Sequence, residues 1–168
     1  MIDGNLQRVY LLLGSNLGDR EAILEQAVIE LVDRLLPDYM VIDSLEEAVN
    51  TSKVYESEPW GFNSKDKFLN QAFCCVTELE PEEVLSACLE IEKELGRERV
   101  GEQFNEQGER VYSSRLIDID VLLIEEKIDS NKWEWVAFNS PTLSVPHPRL
   151  KEREFALKPL REITTRKF

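Results

Sequence analysis

The chain has 168 residues, 42% hydrophobic and 32% charged, which suits one globular domain spanning 1–168 with a core of its own. Its net charge of −13 argues against general binding to nucleic acid or anionic membrane, and it requires any phosphate site to gather cations locally. No apolar run approaches the roughly 20 residues of a membrane span, and Met1–Arg8 lacks the pattern of a secretory signal, so a cytoplasmic protein is expected.

Val9–Leu13 is an apolar run closed by Gly14-Ser15-Asn16, the pattern of a buried strand entering a turn. Asp19 is placed to cap a helix over about 20 to 36, with Ile23, Ala27, Leu31 and Leu35 as its stripe and Pro37 as its stop. Ala48–Tyr55 reads as a second strand, followed by a Pro/Gly loop carrying Trp60 and Phe62, and Phe68–Thr77 reads as a third. Pro81 opens a second helix with Val84, Cys88, Ile91 and Leu95 inward and Gly96 as the stop.

Residues 97–114 are polar and aperiodic, the signature of a long functional loop. Its composition predicts a segment that orders only when ligands arrive and then closes over them. Leu116–Ile124 alternates as a fourth strand, Trp133–Phe138 is a candidate fifth, and Phe155–Ile163 predicts a short helix interrupted at Pro159. Cys74, Cys75 and Cys88 lie in apolar patterns and read as buried free thiols. Strand, helix, strand, strand, helix, strand is the order of a ferredoxin-like α+β sandwich, an antiparallel sheet with helices packed on it.

Four features carry chemistry. Asp118 and Asp120 stand two apart on a strand, hence on one face and roughly 7 Å apart along the backbone. Such neighbours repel unless hard cations compensate, which points to a metal pair; a solvated strand face is the plainer alternative. Arg97, Arg99, Arg110 and Arg115 bracket the long loop against the charge trend of the chain. Their planar forks suit phosphate, although salt bridges to Glu98, Glu102, Glu106 and Glu109 would also use them. The single histidine, His147, is held between Pro146 and Pro148 in Val145-Pro146-His147-Pro148-Arg149, a placement that serves structure as readily as chemistry. Trp60, Phe62, Phe68, Tyr112 and Phe155 fall at the ends of elements or in loops, where flat rings can stack on a flat ligand or simply fill core. No P-loop and no Gly-X-Gly-X-X-Gly fingerprint is present, so nucleotide binding would need another cradle.

Taken together, Leu13–Gly18, Phe68–Ala72, Ile91–Arg97, Ser114–Asp120 and Val145–Leu150 with Arg153 and Phe155 resemble the 6-hydroxymethyl-7,8-dihydropterin pyrophosphokinases of folate biosynthesis, over roughly residues 8 to 163. The resemblance implies a ferredoxin-like fold and transfer of pyrophosphate from ATP to a pterin alcohol, with release of AMP. It implies that Asp118 and Asp120 hold two magnesium ions. Arg97, Arg99, Arg115, His147 and Arg153 would engage ATP, with Arg97 and Arg115 counted among the catalytic residues and Glu92 at the nucleotide site. Asn70, Phe68, Phe155, Ser57 and Trp60 would bind the pterin, with Tyr112 brought in by the closing loop.

Tyr112-Ser113-Ser114 replaces the Trp-Gly-Pro common in that family, Phe68 stands where Tyr is common, and the chain ends at Phe168, soon after Ile163. The proton of the attacking alcohol could pass to a carboxylate, a water or the phosphates. A monomer is expected. The rival readings are a non-catalytic ferredoxin-like ligand-binding module and a different magnesium-dependent phosphoryl transferase.

Overall fold

The computed structural model describes residues 6–16, 18–38, 48–58, 67–97, 107 and 116–164. β1 (Gln7–Ser15) leads into α1 (Arg20–Leu35); β2 (Val49–Thr51), β3 (Tyr55–Ser57) and β4 (Phe68–Thr77) precede α2 (Pro81–Arg97). β5 (Asp118–Asp129), β6 (Lys132–Trp135), β7 (Phe138–Asn139), β8 (Ser144–Val145), a 3-10 turn at Leu150–Glu152 and α3 (Glu154–Ile163) complete the order. The main sheet runs β2-β4-β1-β5-β6 with β3 also on β4, and every pairing is antiparallel. Taking β2 and β3 as one interrupted strand, this is the ferredoxin-like arrangement expected from the element order.

Local chemistry sets the helix ends. The Asp19 side chain accepts the Ala22 amide at 3.1 Å, capping α1 as its sequence predicts. Glu83 reaches back to the Glu80 amide at 3.1 Å, half of a capping box, and Pro81 sits at the first position of α2. Gly96 does not stop α2, which runs on to Arg97.

The sheet buries both faces. On one, Val9, Leu11, Leu13, Phe73, Cys75, Ile117, Ile119 and Val121 meet Leu24, Ala27, Leu31, Val84, Cys88 and Ile91 of α1 and α2. On the other, Tyr10, Leu12, Cys74, Leu122 and Leu123 meet Ala156, Leu157 and Leu160 of α3. That second apolar face explains why Pro159 does not interrupt the last helix. Residue 159 cannot donate to the Phe155 carbonyl, but burial of the helix against the sheet outweighs one lost bond. At the far end of the same face, Glu125 is buried and accepts from Arg8 Nη1 at 2.6 Å and from the Tyr10 hydroxyl at 2.8 Å.

Two irregularities depart from the simple strand readings. Leu11 pairs with Val121 while Tyr10 pairs with Leu123, so Leu122 is an extra residue in β5. This bulge ends the alternation: Leu122 and Leu123 both face α3, and Glu125 joins Asp118 and Asp120 on that side. The predicted second strand is broken as well, with Ser52–Val54 unpaired as strand between β2 and β3. Trp133–Phe138 is likewise divided, because β7 leaves the main sheet to pair with β8.

Candidate active site

Asp118 and Asp120 leave one face of β5, as their spacing predicts, and both line a cavity of about 270 Å³ on the side of the sheet that carries α3. Ile117, Ile119 and Val121 point into the opposite core. β6 pairs only with residues from Glu125 onward, so side chains and loops attend to the outer edge of β5 near the aspartates. Glu92 of α2 accepts the Ile119 amide at 2.7 Å, and the His147 amide donates to the carbonyl of the bulged Leu122 at 2.9 Å. The bulge thus ties the Pro-His-Pro segment to the strand that bears the carboxylates.

The cavity floor follows from strand register. Gly14 of β1 stands opposite Asn70 of β4 on one side and Asp118 of β5 on the other. Two strand spacings separate those flanking residues, roughly 10 Å. With no side chain at Gly14, the row between them stays open. A methyl group there would sit 3.5 Å from Asn70 Oδ1 and 3.6 Å from Phe68 Cδ1. Asn70 is buried and its Nδ2 donates to Ser57 Oγ at 2.6 Å and to the Tyr55 carbonyl at 3.4 Å. Phe68, Phe155, Ser57 and Arg153 complete the walls.

Arg153 brings positive charge to the carboxylates. Its Nη1 lies 3.8 Å from Asp120 Oδ2, an ionic contact too long for a hydrogen bond. Its Nε is buried and has no hydrogen-bond partner among the described residues. A buried, unspent guanidinium donor is suited to an anionic ligand.

A second cavity, of about 320 Å³, lies across the edge of β5 and shares Asp120 with the first. Leu85, Val121 and Leu143 give it an apolar lining, and Ser140, Thr142 and His147 give it polar groups. The turn holding those hydroxyls is fixed by Ser140 Oγ, which accepts the Thr142 and Leu143 amides at 3.3 and 3.1 Å. His147 Nδ1 accepts the Arg149 amide at 3.1 Å, which leaves Nε2 to carry the proton of the neutral ring. Burial lowers the His147 pKa below the usual histidine range, Asp120 opposes that shift, and Arg153 and Arg149 add to it.

Of the residues singled out in the sequence, Ser57, Phe68, Asn70, Asp118, Asp120, Arg153 and Phe155 come together around one cavity. His147 faces the other, and Glu92 supports the strand between the aspartates. Arg97 closes α2, with its side chain outside the described residues; Trp60, Arg99, Tyr112 and Arg115, with nearly all of the 97–114 loop, lie outside them too. Sequence reasoning missed Gly14 as a cavity floor and Ser140, Thr142 and Leu143 as cavity walls. A glycine inside an apolar strand was the available signal for the first, and the Ser-Pro-Thr turn a faint one for the others.

The donor set fits a hard divalent cation that is shared with a ligand. Among the described residues no group of three His, Cys, Asp or Glu side chains is placed to hold a metal alone. Two carboxylates on one face suit magnesium, which commonly takes one or two carboxylates and fills its octahedron with water and substrate phosphate oxygens.

The sequence model of the family 7,8-dihydro-6-hydroxymethylpterin-pyrophosphokinase (HPPK) matches residues 10–165. The chain belongs to the HPPK family. A relative from Porphyromonas gingivalis is 36% identical over 157 residues, covering 92% of this chain and 89% of the relative. One from Bacillus subtilis is 37% identical over 155 residues, covering 92% and 76%. A third, from Methylorubrum extorquens, is 39% identical over 158 residues, covering 94% and 83%. All three are named 2-amino-4-hydroxy-6-hydroxymethyldihydropteridine pyrophosphokinase. The HPPK match takes in both cavities and both aspartates. Among the described residues no helix is long and apolar enough to cross a membrane.

Proposed function

We propose that this chain transfers the β,γ-pyrophosphoryl unit of ATP to the hydroxymethyl group of 6-hydroxymethyl-7,8-dihydropterin and releases AMP, a step of folate biosynthesis. The observation that carries the reading beyond family membership is the position of Asp120 on the wall of both cavities. Two ligands seated in adjacent cavities would meet at that carboxylate, as a transfer between them requires.

The cavity over Gly14 takes the pterin. Its flat floor, the rings of Phe68 and Phe155 and the buried amide of Asn70 suit a planar heterocycle edged with donors and acceptors. With Nδ2 committed to Ser57 and Tyr55, Asn70 Oδ1 is available to a ring N–H. Trp60 and Tyr112 join this half by the family pattern. The cavity beside Ser140–Leu143 takes ATP, with His147 Nε2–H directed to phosphate; Arg153, on the wall of the pterin cavity, meets the phosphates at Asp120, the carboxylate that both cavities share. By the family pattern Arg97, Arg99 and Arg115 would also engage ATP, and Glu92 holds the β5 edge in place.

Asp118 and Asp120 would hold two magnesium ions, which offset the triphosphate charge and help orient it. The hydroxymethyl oxygen forms a bond to the β-phosphorus and gives up its proton to a carboxylate, a water or the phosphates, the bond from that phosphorus to the α,β-bridging oxygen breaks, and AMP leaves with the bridging oxygen. The protein's part is alignment and charge: Gly14, Asn70 and the two rings fix the alcohol, and arginines stabilise the phosphates as negative charge shifts toward the leaving AMP. Nucleotide products resolved by chromatography test the reading. AMP formed only when the pterin alcohol is present supports it; ADP would mark an ordinary kinase, and no turnover a binding module.

A further inference from the structure

β3 is only three residues long, yet it carries Ser57, the partner of Asn70. Its register is not continuous with that of β2. Thr51 pairs with Phe73 and Tyr55 with Asn70, so the three residues Ser52–Val54 span two residues of β4, Gln71 and Ala72. Ser52 is tied down: its amide donates to the Ala72 carbonyl at 2.9 Å, its Oγ accepts the Ala72 amide at 2.9 Å, and its carbonyl accepts from Gln71 Nε2 at 3.0 Å. The extra residue therefore falls at Lys53 and Val54. A one-residue slip would turn every following side chain to the other face. It would withdraw Ser57 from Asn70 and turn Glu56, an anion, toward the cavity instead.

One side chain from across the molecule addresses this bulge. Glu162, in the last turn of α3, accepts the Lys53 amide with Oε1 at 3.3 Å and the Tyr55 hydroxyl with Oε2. Lys158, one turn earlier, lies over the Tyr55 ring at 5.0 Å. Hydrogen bonding to that carboxylate raises the Tyr55 pKa, keeping the hydroxyl a donor. α3 also begins beside Arg153 and bears Phe155, so one helix reaches the cavity at its start and the bulge at its end.

We propose that Glu162 is a positioning residue for the pterin cavity: it holds the β2–β3 bulge in the register that sets Ser57 against Asn70. The proposal rests on assigning that cavity to the pterin. Glu162 contributes no atom to the cavity lining.

The test compares Glu162→Ala, Glu162→Gln and Tyr55→Phe with the parent protein. Titration calorimetry follows 6-hydroxymethylpterin in the presence of magnesium and a non-hydrolysable ATP analogue, and the analogue alone. Amide hydrogen exchange is followed over residues 55–57. Glu162→Ala is expected to weaken pterin binding roughly fivefold, the scale of one or two hydrogen bonds to a carboxylate, with analogue affinity unchanged and exchange at 55–57 faster. Glu162→Gln keeps an acceptor for Lys53 and recovers most of the loss, while Tyr55→Phe gives a smaller loss. Unchanged pterin affinity in Glu162→Ala overturns the proposal, and so does an equal loss of pterin and analogue affinity, which would mean a general structural role. A parent protein that fails to bind the pterin would overturn the functional reading instead. In that case exchange still decides the bulge, since unaltered exchange at 55–57 in Glu162→Ala would remove Glu162 from its support.

Discussion

The Glu92 carboxylate accepts the Ile119 amide at 2.7 Å, at the residue that separates Asp118 from Asp120. A helix side chain thereby takes the place of a neighbouring strand and fixes the segment that carries both aspartates. Glu92→Ala removes the acceptor from this part-buried amide. The expected loss is about 1–3 kcal/mol of stability in urea denaturation, together with a fall in turnover. Glu92→Gln retains an acceptor oxygen and is expected to recover most of the stability. Equal stability of the alanine and parent proteins would show that the bond does not hold the strand.

Gly14 keeps the cavity floor open between Asn70 and Asp118. The Cβ of Gly14→Ala meets Asn70 and Phe68 at ordinary contact distances, so the variant should fold with stability within about 1 kcal/mol of the parent. The methyl group would occupy the surface on which the pterin lies. Calorimetry should therefore register weaker pterin binding, and a still larger loss for Gly14→Val, with ATP-analogue binding unchanged. Pterin affinity that is indifferent to both substitutions would place the ligand elsewhere.

Phe68 and Phe155 line the same cavity. Truncating either to alanine should cost roughly 1–3 kcal/mol of pterin affinity, the scale of a lost aromatic contact, and leave ATP binding little changed. If ATP affinity fell and pterin affinity did not, the two cavities would have been assigned the wrong way round.

The cysteines bear on pH stability. Cys74, Cys75 and Cys88 are free and buried, and burial pushes the Cys74 and Cys88 thiols up to about 12, with Cys75 also raised well above 9.0. Each folded thiol holds its proton after the unfolded thiol has released one, so stability should fall as pH rises past about 9. The slope is at most about 1.4 kcal/mol per pH unit for each thiol. Urea midpoints at pH 8 and pH 10 measure it, and an equal or higher midpoint at pH 10 would contradict the assignment.

Much of the site was legible because strand alternation converts spacing directly into direction. Asp118 and Asp120 had to share a face, and Ile117, Ile119 and Val121 had to oppose them. Alternation also explains what was illegible. Val121–Ile124 is apolar at every position, so no parity signal marks Leu122 as extra. Thr51–Tyr55 likewise reads as continuous strand, because one inserted residue changes register without changing composition. Pro159 was misread because propensity is local, whereas the apolar face that keeps α3 whole is assembled from β1, β4 and β5. The second cavity draws Leu85, Val121 and Ser140–Leu143 from three elements, and no short motif joins them.

The most direct test of the central claim is the rate of pterin-dependent AMP release by Asp118→Asn and Asp120→Asn beside the parent, across a magnesium titration. Asp118→Asn removes one of two like charges on a strand face, so folding stability should hold or rise; Asp120→Asn relieves the same repulsion but also loses its ionic contact with Arg153, so its stability should change little. Turnover should nevertheless fall by orders of magnitude, most severely at limiting magnesium. Near-parental AMP release by both variants at limiting magnesium would contradict the account.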